Sequence, residues 1–257
     1  MVDLHTHVLP GLDDGARSLD EAVSMVSIAA SAGTTDLVAS PHCNLEFAFD
    51  PAAVEAKIGE LARACGGAVR LHYGCDFHFY FENIQDALKH PDRYTIDHKR
   101  FLLVEFPDVL IPQAAGEVFS RFLEAGITPI ITHPERNHLL HSRLEQMEEW
   151  VRSGVLMQVT AQSFLGRFGR DVRRFTRELM YAGMVHIVAS DAHDIDDRPP
   201  RLDVAFKHVA ETYGRQWAEA LFIKNPTCAL NGEPLPGLPP RPRRRRWFHF
   251  WTSRAGA

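Results

Sequence analysis

Short apolar or β-branched segments alternate with longer amphipathic segments along most of the chain. The short segments are typical of buried strands, and the longer ones repeat apolar residues at the spacing of a helix face. Their alternation predicts an α/β fold in which crossover helices join parallel strands. Strands are predicted at 2–7, 36–42, 69–77, 100–106, 128–134, 156–163 and 184–193. Helices are predicted at 18–32, 51–65, 112–126, 143–153, 169–182 and 202–222.

Local signals mark the ends of the predicted helices. Ser18 stands three residues before Glu21, the spacing of a capping box at a helix start. Glycine, which commonly ends a helix in the left-handed conformation, follows several of the helical segments, at Gly33, Gly126, Gly154 and Gly183. No repeat of fixed period appears, so the pattern favours one barrel-like unit over a solenoid.

The sequence changes character after Gly232. Prolines crowd residues 233–242, four arginines follow at 243–246, and Trp-Phe-His-Phe-Trp occupies 247–251. Such proline density disfavours helix and sheet. We therefore expect a folded barrel at 1–232 and a disordered Pro/Arg-rich aromatic tail at 233–257.

Charge is distributed unevenly between these two parts. The chain of 257 residues has a formal net charge of −5, and the six arginines and one glutamate of 233–257 contribute +5, which leaves −10 for 1–232. An acidic body is a poor general partner for nucleic acid, which is bound mainly through Lys and Arg. We expect the tail to be a solvated, poorly ordered end, and the arginines beside Trp and Phe at 241–251 give the alternative hypothesis of contact with an anionic membrane surface.

The cysteines exclude one class of chemistry. Cys43, Cys65, Cys75 and Cys228 show no C-x-x-C spacing, and none has an arginine six positions later. We interpret them as reduced thiols, and the loop of cysteine-dependent tyrosine phosphatases is missing. No stretch approaches the roughly 18 apolar residues of a membrane span, so we expect a cytoplasmic protein, or one peripheral to the inner face of the membrane.

Residues that commonly bind metals stand where the predicted strands end. Residues two apart on a strand point to one side, which pairs His5 with His7 and Asp191 with His193. The other strand ends carry His42, Asp76, Glu105 and His133. In α/β barrels these ends form one active-site mouth. A lone histidine is often a hydrogen-bonded core residue, but several carboxylates buried together need cations to offset desolvation and repulsion.

Nine further histidines lie mostly in predicted loops or on helix faces. We interpret these as surface groups or as groups behind the ligands. His78 is the exception, because it shares strand parity with Asp76 and could substitute for it as a ligand.

Several motifs in order resemble the PHP (polymerase and histidinol phosphatase) superfamily, and within it the manganese-dependent protein-tyrosine phosphatases of bacterial capsule and exopolysaccharide operons. The H-x-H of His5 and His7 is weakly specific by itself. The resemblance depends on Asp-Leu-His-Thr-His at 3–7, Leu-Asp-Asp-Gly-Ala at 12–16, Ser-Pro-His at 40–42, Val-Glu-Phe-Pro at 104–107, Thr-His-Pro-Glu-Arg-Asn at 132–137, Gln-Val-Thr-Ala-Gln-Ser at 158–163, Gly-Arg-Phe-Gly at 166–169 and Ala-Ser-Asp-Ala-His at 189–193 before Arg-Pro-Pro at 198–200.

The resemblance implies a distorted (β/α)7 TIM-like barrel with three divalent metal ions. Manganese is the expected metal, and iron and zinc are the alternatives. Carried over position by position, the ligands would be His5, His7, Asp14, His42, Asp76, Glu105, His133, Asp191 and His193. Arg136 and Arg198 would bind the substrate phosphate. The third-strand carboxylate is usually glutamate in this family, so Asp76 departs from the pattern and its bridging role is open.

The implied reaction is hydrolysis of phosphotyrosine by a metal-bridged hydroxide. The phosphoprotein would be a membrane tyrosine kinase that regulates capsule or exopolysaccharide synthesis. A tyrosine leaving group has a pKa of about 10 and needs less help from a general acid than an alkoxide does. Asp13 and Glu135 are the adjacent candidates for that acid, although the sequence favours a solvated position or a supporting role behind the ligands for each.

Three other interpretations remain open at this point. A small-molecule phosphatase of histidinol-phosphate type would use the same ligands. A metal-dependent amidohydrolase also begins with H-x-H, but the segment 156–163 lacks the histidine expected there. An inactive scaffold is the third, and the complete ligand set disfavours it.

Overall fold

A computed structural model describes residues 1–242. Its strands are β1 (Val2–Thr6), β2 (Asp36–Ala39), β3 (His42–Cys43), β4 (Arg70–Tyr73), β5 (Asp76–His78), β6 (Phe101–Glu105), β7 (Thr128–Thr132), β8 (Leu156–Thr160) and β9 (Ile187–Ala189). Its helices are α1 (Leu19–Ser31), α2 (Pro51–Cys65), α3 (Phe81–Lys89), α4 (Ala115–Glu124), α5 (Leu144–Ser153), α6 (Ala161–Leu165), α7 (Arg170–Ala182), α8 (Asp203–Tyr213), α9 (Arg215–Glu219) and α10 (Asn225–Asn231).

The strands form two parallel sheets that together make a barrel. Their orders are β1-β2-β4 and β3-β5-β6-β7-β8-β9. The predicted strand 36–42 runs through β2 into β3, and 69–77 runs through β4 into β5, so the ring has seven positions. The His7 N–H donates to the Ala192 carbonyl at 2.8 Å and the Asp191 N–H donates to the His5 carbonyl at 2.9 Å, which closes the ring. The prediction of a seven-position α/β barrel is confirmed.

Two of the predicted strands, 36–42 and 69–77, are each divided into two shorter strands. Pro41, between β2 and β3, has no backbone N–H to continue a ladder. Gly74, between β4 and β5, passes so close to Val38 that an added Cβ would lie 2.4 Å from its Cγ1. At these breaks the chain leaves the first sheet and enters the second, and the residues that follow point into the mouth.

The predicted helices are found with one exception, and two further helices, α3 and α10, lie where no element was predicted. The Ser18 hydroxyl accepts the Glu21 N–H at 3.2 Å, and positive φ angles occur at Gly33, Gly126, Gly154 and Gly183, as predicted. The predicted helix 202–222 is wrong as a single element, because Gly214 at φ 103° separates α8 from α9.

The predicted strand at 156–163 is wrong beyond Thr160, where α6 begins. The Glu135 carboxylate accepts the Thr160 N–H at 2.8 Å and the Ser163 hydroxyl at 2.6 Å. These bonds satisfy the first turn of α6 from outside the helix, which favours helix over continued strand.

Apolar side chains fill the half of the barrel at the amino ends of the strands, which we call the floor. Polar side chains fill the half at the carboxyl ends, which is the mouth. The floor cluster comprises Val2, Leu4, Val38, Ile96, Phe101, Leu103, Ile130, Ile187, Ala229 and Leu230. The pairing of β1 with β2 shifts by one residue between Asp3 and Thr6. Because a one-residue shift reverses the faces of a strand, Val2 and Leu4 line the floor while the histidines beyond them reach the mouth.

Residues 233–242 form no helix or strand but lie against the barrel. The Trp217 indole N–H donates to the Pro240 carbonyl at 3.3 Å, and Leu235 and Leu238 pack on the two apolar clusters. The predicted tail otherwise falls on 243–257, outside the described residues, so its disorder and its membrane contact stay predictions. Within 1–242 no helix is both long and apolar enough to cross a membrane.

The substitution Leu103→Ala should lower the free energy of unfolding by about 3 kcal/mol, because it leaves a cavity in the barrel floor where Leu103 is fully buried. Urea denaturation followed by circular dichroism measures the change. Val204→Ala, at an exposed position on α8, is the control and should change it by less than about 0.5 kcal/mol. Equal losses in the two variants would contradict a packed floor.

Candidate metal centre

All nine ligand-type side chains predicted from the sequence meet at the barrel mouth. Their donor atoms form overlapping groups in which the members lie within 4.8 Å of one another. The groups are His7, Asp14, His42 and His193; His42, Asp76, His78 and Glu105; His5, His7 and Asp76; and His5, His133 and Asp191. Because the groups share members, they form one connected centre.

The first strand contributes two histidines whose orientation is fixed from behind. His5 Nδ1 donates to Gln158 Oε1 at 2.9 Å, and His7 Nδ1 donates to Asp13 Oδ2 at 2.7 Å. These bonds assign the proton of each ring to Nδ1 and leave the Nε2 lone pairs pointing into the mouth. This is the arrangement of a metal-binding histidine, in which the far nitrogen is held by a protein acceptor.

The two lone pairs face each other. His5 Nε2 lies 3.1 Å from His7 Nε2, and Asp191 Oδ1 lies 3.5 Å from the first and 3.4 Å from the second. Three acceptors this close repel one another in a buried site unless a cation lies among them. The donor set of imidazole and carboxylate therefore fits a divalent transition metal ion.

A second conflict surrounds Asp76. Both of its carboxylate oxygens are buried, and within residues 1–242 neither accepts a well-aligned hydrogen bond. Asp76 Oδ2 lies 3.0 Å from His42 Nδ1 and 3.6 Å from His5 Nε2. Burial by itself would lower the pKa values of these histidines, but the neighbouring carboxylates raise the pKa of His5 to about 9 and that of His42 to about 11. A proton on the second ring nitrogen would therefore offset the carboxylate charge whenever no metal ion binds there. Metal ions and protons compete for the same lone pairs.

Asp14 reaches the centre from the loop after β1. Its Oδ1 atom lies 3.4 Å from His42 Nε2 and 3.5 Å from His193 Nε2. The loop returns closely over the strand, since the Ala16 N–H donates to the His7 carbonyl at 3.0 Å. A Cβ at Gly15 would lie 1.9 Å from that carbonyl oxygen. Only glycine fits here, which explains the Asp-Asp-Gly motif.

Two of the candidate ligands have left-handed backbone conformations. His133 has φ 32° and Asp191 has φ 53°, values that are rare for residues with a side chain and that concentrate at functional sites. Asp3 supports the second of them, because its carboxylate accepts the Ser190 N–H at 2.9 Å. Burial raises the pKa of Asp3 to about 6.

The two arginines predicted to bind phosphate converge on one carboxylate. Arg198 Nη2 donates to Asp191 Oδ2 at 2.6 Å, and Arg136 Nη1 forms a short ion pair with the same oxygen. Arg136 also lies over the Phe168 ring, with its guanidinium carbon 4.7 Å from the centroid. Both guanidinium groups are partly exposed, so a phosphate entering the mouth would meet them.

Both candidates for a general acid are occupied elsewhere. Asp13 accepts from His7, from the His42 N–H at 3.1 Å and from the Gly15 N–H at 3.0 Å. Burial would raise the pKa of Asp13, but its His7 partner holds it below the usual value. The Glu135 carboxylate bonds to the start of α6, and burial raises its pKa to about 7. Each has the kind of supporting role that the sequence favoured over acid catalysis, and the structure gives the partners.

Two further members of the site are His78, which the sequence indicated as a possible substitute for Asp76, and Gln158, to which the sequence assigned no role. His78 joins a ligand group through its contact with Glu105, and strand parity with Asp76 was the signal that pointed to it. Gln158 holds His5, and only its inward position on β8 could have suggested this.

Comparisons with known proteins agree with this geometry. Residues 1–231 match the family described as Capsular polysaccharide synthesis, CpsB/CapC. The chain belongs to the CpsB/CapC family. The resemblance found in the motifs is therefore confirmed at the level of family.

Relatives in the CpsB/CapC family match over nearly their whole length. The CapC protein of Staphylococcus aureus is 32% identical over 96% of this chain and 99% of its own. The tyrosine-protein phosphatase YwqE of Bacillus subtilis (strain 168) is 30% identical over 98% and 100%. A solved structure from work on YwqE and on CpsB of Streptococcus pneumoniae, described as unique metal-dependent tyrosine phosphatases, superposes with a TM-score of 0.86 at 28% identity and covers 95% of this chain and 100% of that one.

Asp13→Ala should weaken metal binding about ten- to hundred-fold, because His7 loses the partner that orients its ring. Metal content after dialysis against a series of buffered manganese concentrations, read by mass spectrometry, measures the affinity. The control is Asp20→Ala, an exposed position on the first turn of α1 that belongs to none of the ligand groups. Wild-type affinity in Asp13→Ala would contradict the positioning role.

Gly15→Ala should also reduce metal content, because the new methyl group collides with the His7 carbonyl and displaces the loop that carries Asp14. Gly59→Ala is the matched control, since an added Cβ in α2 would meet only the end of a flexible Arg63 side chain at 3.5 Å. We expect the control to bind metal like the wild type. Comparable losses in both variants would show that the effect is not local.

Proposed function

We propose that this protein is a metal-dependent protein-tyrosine phosphatase. The observation that carries the proposal is the set of inward-facing acceptors, His5 Nε2, His7 Nε2, Asp76 and Asp191, which stand within 3.6 Å of their neighbours and need cations. Membership of the CpsB/CapC family and the similarity to YwqE support the phosphatase activity.

The proposed centre holds three divalent ions, with manganese as the first candidate. The nine residues predicted from the sequence would be the ligands, and His78 is a tenth candidate. Bound ions would lower the pKa of a water toward neutrality and offset the charge of the phosphoryl group. The protein's own part is to hold the ligands in place through Gln158, Asp13 and Asp3.

Arg136 and Arg198 would bind the phosphoryl oxygens. A guanidinium group presents paired N–H donors that match phosphate geometry. In the structure both arginines converge on Asp191, whose other oxygen faces the two histidines. A phosphate held by both side chains would therefore be adjacent to the metal ligands.

The state of the two acid candidates favours an aryl phosphate. Against the effect of burial, His7 holds the pKa of Asp13 below its usual value, and Glu135 is fully buried against the start of α6, so neither carboxyl group is placed to donate a proton to a leaving group. A phenolate with a pKa of about 10 departs without strong protonation, whereas an alkoxide does not. This supports phosphotyrosine over histidinol phosphate, and family membership disfavours the amidohydrolase.

The phosphoprotein we propose is a tyrosine kinase that regulates capsule or exopolysaccharide synthesis. The family description names capsular polysaccharide synthesis, which supports this choice of substrate.

The test is phosphate release from p-nitrophenyl phosphate, phosphotyrosine peptide and phosphoserine peptide with added Mn²⁺. We expect hydrolysis of the two aryl phosphates, loss of activity with a chelator, and a drop of at least about a hundred-fold in kcat for His5→Ala. Arg136→Ala should reduce kcat/KM about ten- to hundred-fold.

Arg121→Ala, an exposed position on α4 away from the mouth, is the matched control for the arginine variant. Activity that ignores chelator, His5→Ala and Arg136→Ala alike would refute the proposed function. Faster hydrolysis of phosphoserine than of phosphotyrosine would refute the aryl preference.

A further inference from the structure

Exposed apolar side chains concentrate around the barrel mouth. Of the eight large apolar residues exposed within 1–242, six lie on segments that directly follow barrel strands: Leu45, Phe81, Val109, Leu110, Leu165 and Ile195. The exposed fractions are 84% for Leu45, 71% for Phe81, 88% for Val109 and 59% for Leu110. Grouped exposure of this kind marks an interaction surface more often than scattered single residues do.

Four of these residues form an arc on one side of the mouth. Leu45 comes three residues after His42, Phe81 three after His78, and Val109 four after Glu105. His42, His78 and Glu105 belong to one ligand group, and the strands β3, β5 and β6 that carry them are neighbours in the sheet. We call Leu45, Phe81, Val109 and Leu110 the apolar arc.

The turns that carry Leu45 and Phe81 are braced by asparagine side chains. Asn44 Oδ1 accepts the N–H groups of Glu46 and Phe47 at 2.8 Å each, with Leu45 at the tip of this turn. Asn83 Nδ2 donates to the Cys43 carbonyl at 2.9 Å and to the His78 carbonyl at 3.1 Å. Asn83 thereby connects the start of α3 to β3 and β5.

The loop 106–114 holds Val109 and Leu110 outward in a similar way. Phe106 and Ile111, on either side of them, are buried. Buried Asn137 donates to the Pro107 carbonyl at 3.3 Å and fixes the base of the loop. The contacts of Asn44 and Asn83 and the buried ends of the loop 106–114 thus anchor the segments that present the arc, which reduces the entropy lost when a ligand binds.

The barrel positions next to the arc, after β1 and β9, are acidic at the mouth. An open cleft of about 330 Å³ there is lined by Asp14, Gly15, Arg17, His193, Asp194, Asp196 and Asp197. Its arginine is paired with Glu21 at 2.7 Å, so the cleft stays negative. Asp194 and Asp196 are not among the proposed metal ligands, so this surface stays acidic with metal ions bound and attracts basic peptide.

We propose that the apolar arc binds apolar residues next to phosphotyrosine in an extended, basic segment of the phosphoprotein substrate. This inference rests on the proposed function and adds its sequence preference. The acidic cleft faces the basic residues of the segment, while the arc excludes water from the apolar ones beside the phosphotyrosine.

The test uses heptapeptides with phosphotyrosine at the centre. One has leucine at two positions on each side and lysine at both ends, a second replaces the leucines with serine, and a third replaces the lysines with glutamate. With Mn²⁺ present, we expect kcat/KM for the leucine peptide to exceed that for the serine peptide about ten-fold. The glutamate-ended peptide should be slower than its lysine counterpart.

The decisive variant is the double substitution Val109→Ser with Leu110→Ser, which should bring the ratio of the leucine to the serine peptide close to one. The ratio compares two peptides on one enzyme, so a general loss of activity cancels. The matched control, Val204→Ser with Ile223→Ser, changes exposed apolar residues outside the arc and should keep the ratio. Leu45→Ser provides an independent second variant if the double substitution does not fold.

Other outcomes would overturn the inference in distinguishable ways. Equal rates for the leucine and serine peptides with the wild type would show that the arc does not read the substrate. An unchanged ratio in the arc variant, with a lower mass by sedimentation velocity, would identify the arc as a contact between copies of this chain. Failure of the wild type to hydrolyse any peptide or p-nitrophenyl phosphate would instead remove the proposed function and this inference with it.

Discussion

Carboxylate and imidazole groups crowd a barrel mouth that has little access to water, and their lone pairs face one another. His5 Nε2 and His7 Nε2 lie 3.1 Å apart, with Asp191 Oδ1 within 3.5 Å of both. Such an arrangement is unstable unless cations occupy it. Much of the surrounding structure can be understood as holding these acceptors together: buried hydrogen bonds fix the ring orientations, and two ligands keep left-handed backbone angles.

The backbone separates this polar centre from the apolar floor below it. A shift of one residue in the pairing of β1 allows Val2 and Leu4 to face the floor and His5 and His7 to face the mouth. The next two barrel positions are divided by breaks at Pro41 and near Gly74. These breaks likewise direct the residues that follow them, His42 and Asp76, toward the mouth. The floor supplies hydrophobic stabilisation, and the mouth accepts an electrostatic cost that metal ions can offset.

Sequence reasoning predicted the ring of strands and the residues at their ends, because both follow from local periodicity. Positions such as His42, Glu105 and His133 could be found from the end of an apolar segment alone. Pro41 is a local signal for the break in strand 36–42, whereas the break in 69–77 and the early end of β8 depend on partners distant in sequence. Glu135, for example, contacts the start of α6 through bonds to Thr160 and Ser163. A supporting role for Asp13 could be expected from the sequence, but its partners could not, since they are a ring nitrogen and backbone N–H groups brought together by folding.

The shorter carboxylate at Asp76 is compatible with a shared position between ligand groups. Asp76 belongs to two of the groups, one with His42 and one with His5 and His7. Its backbone is held across the strand break, where its N–H donates to the Pro41 carbonyl at 3.0 Å. Gly74, two residues earlier, allows the strand to approach Val38 more closely than a residue with a Cβ could. A side chain one methylene shorter than glutamate thus reaches both His42 and His5, because the backbone that carries it lies close to the neighbouring strand.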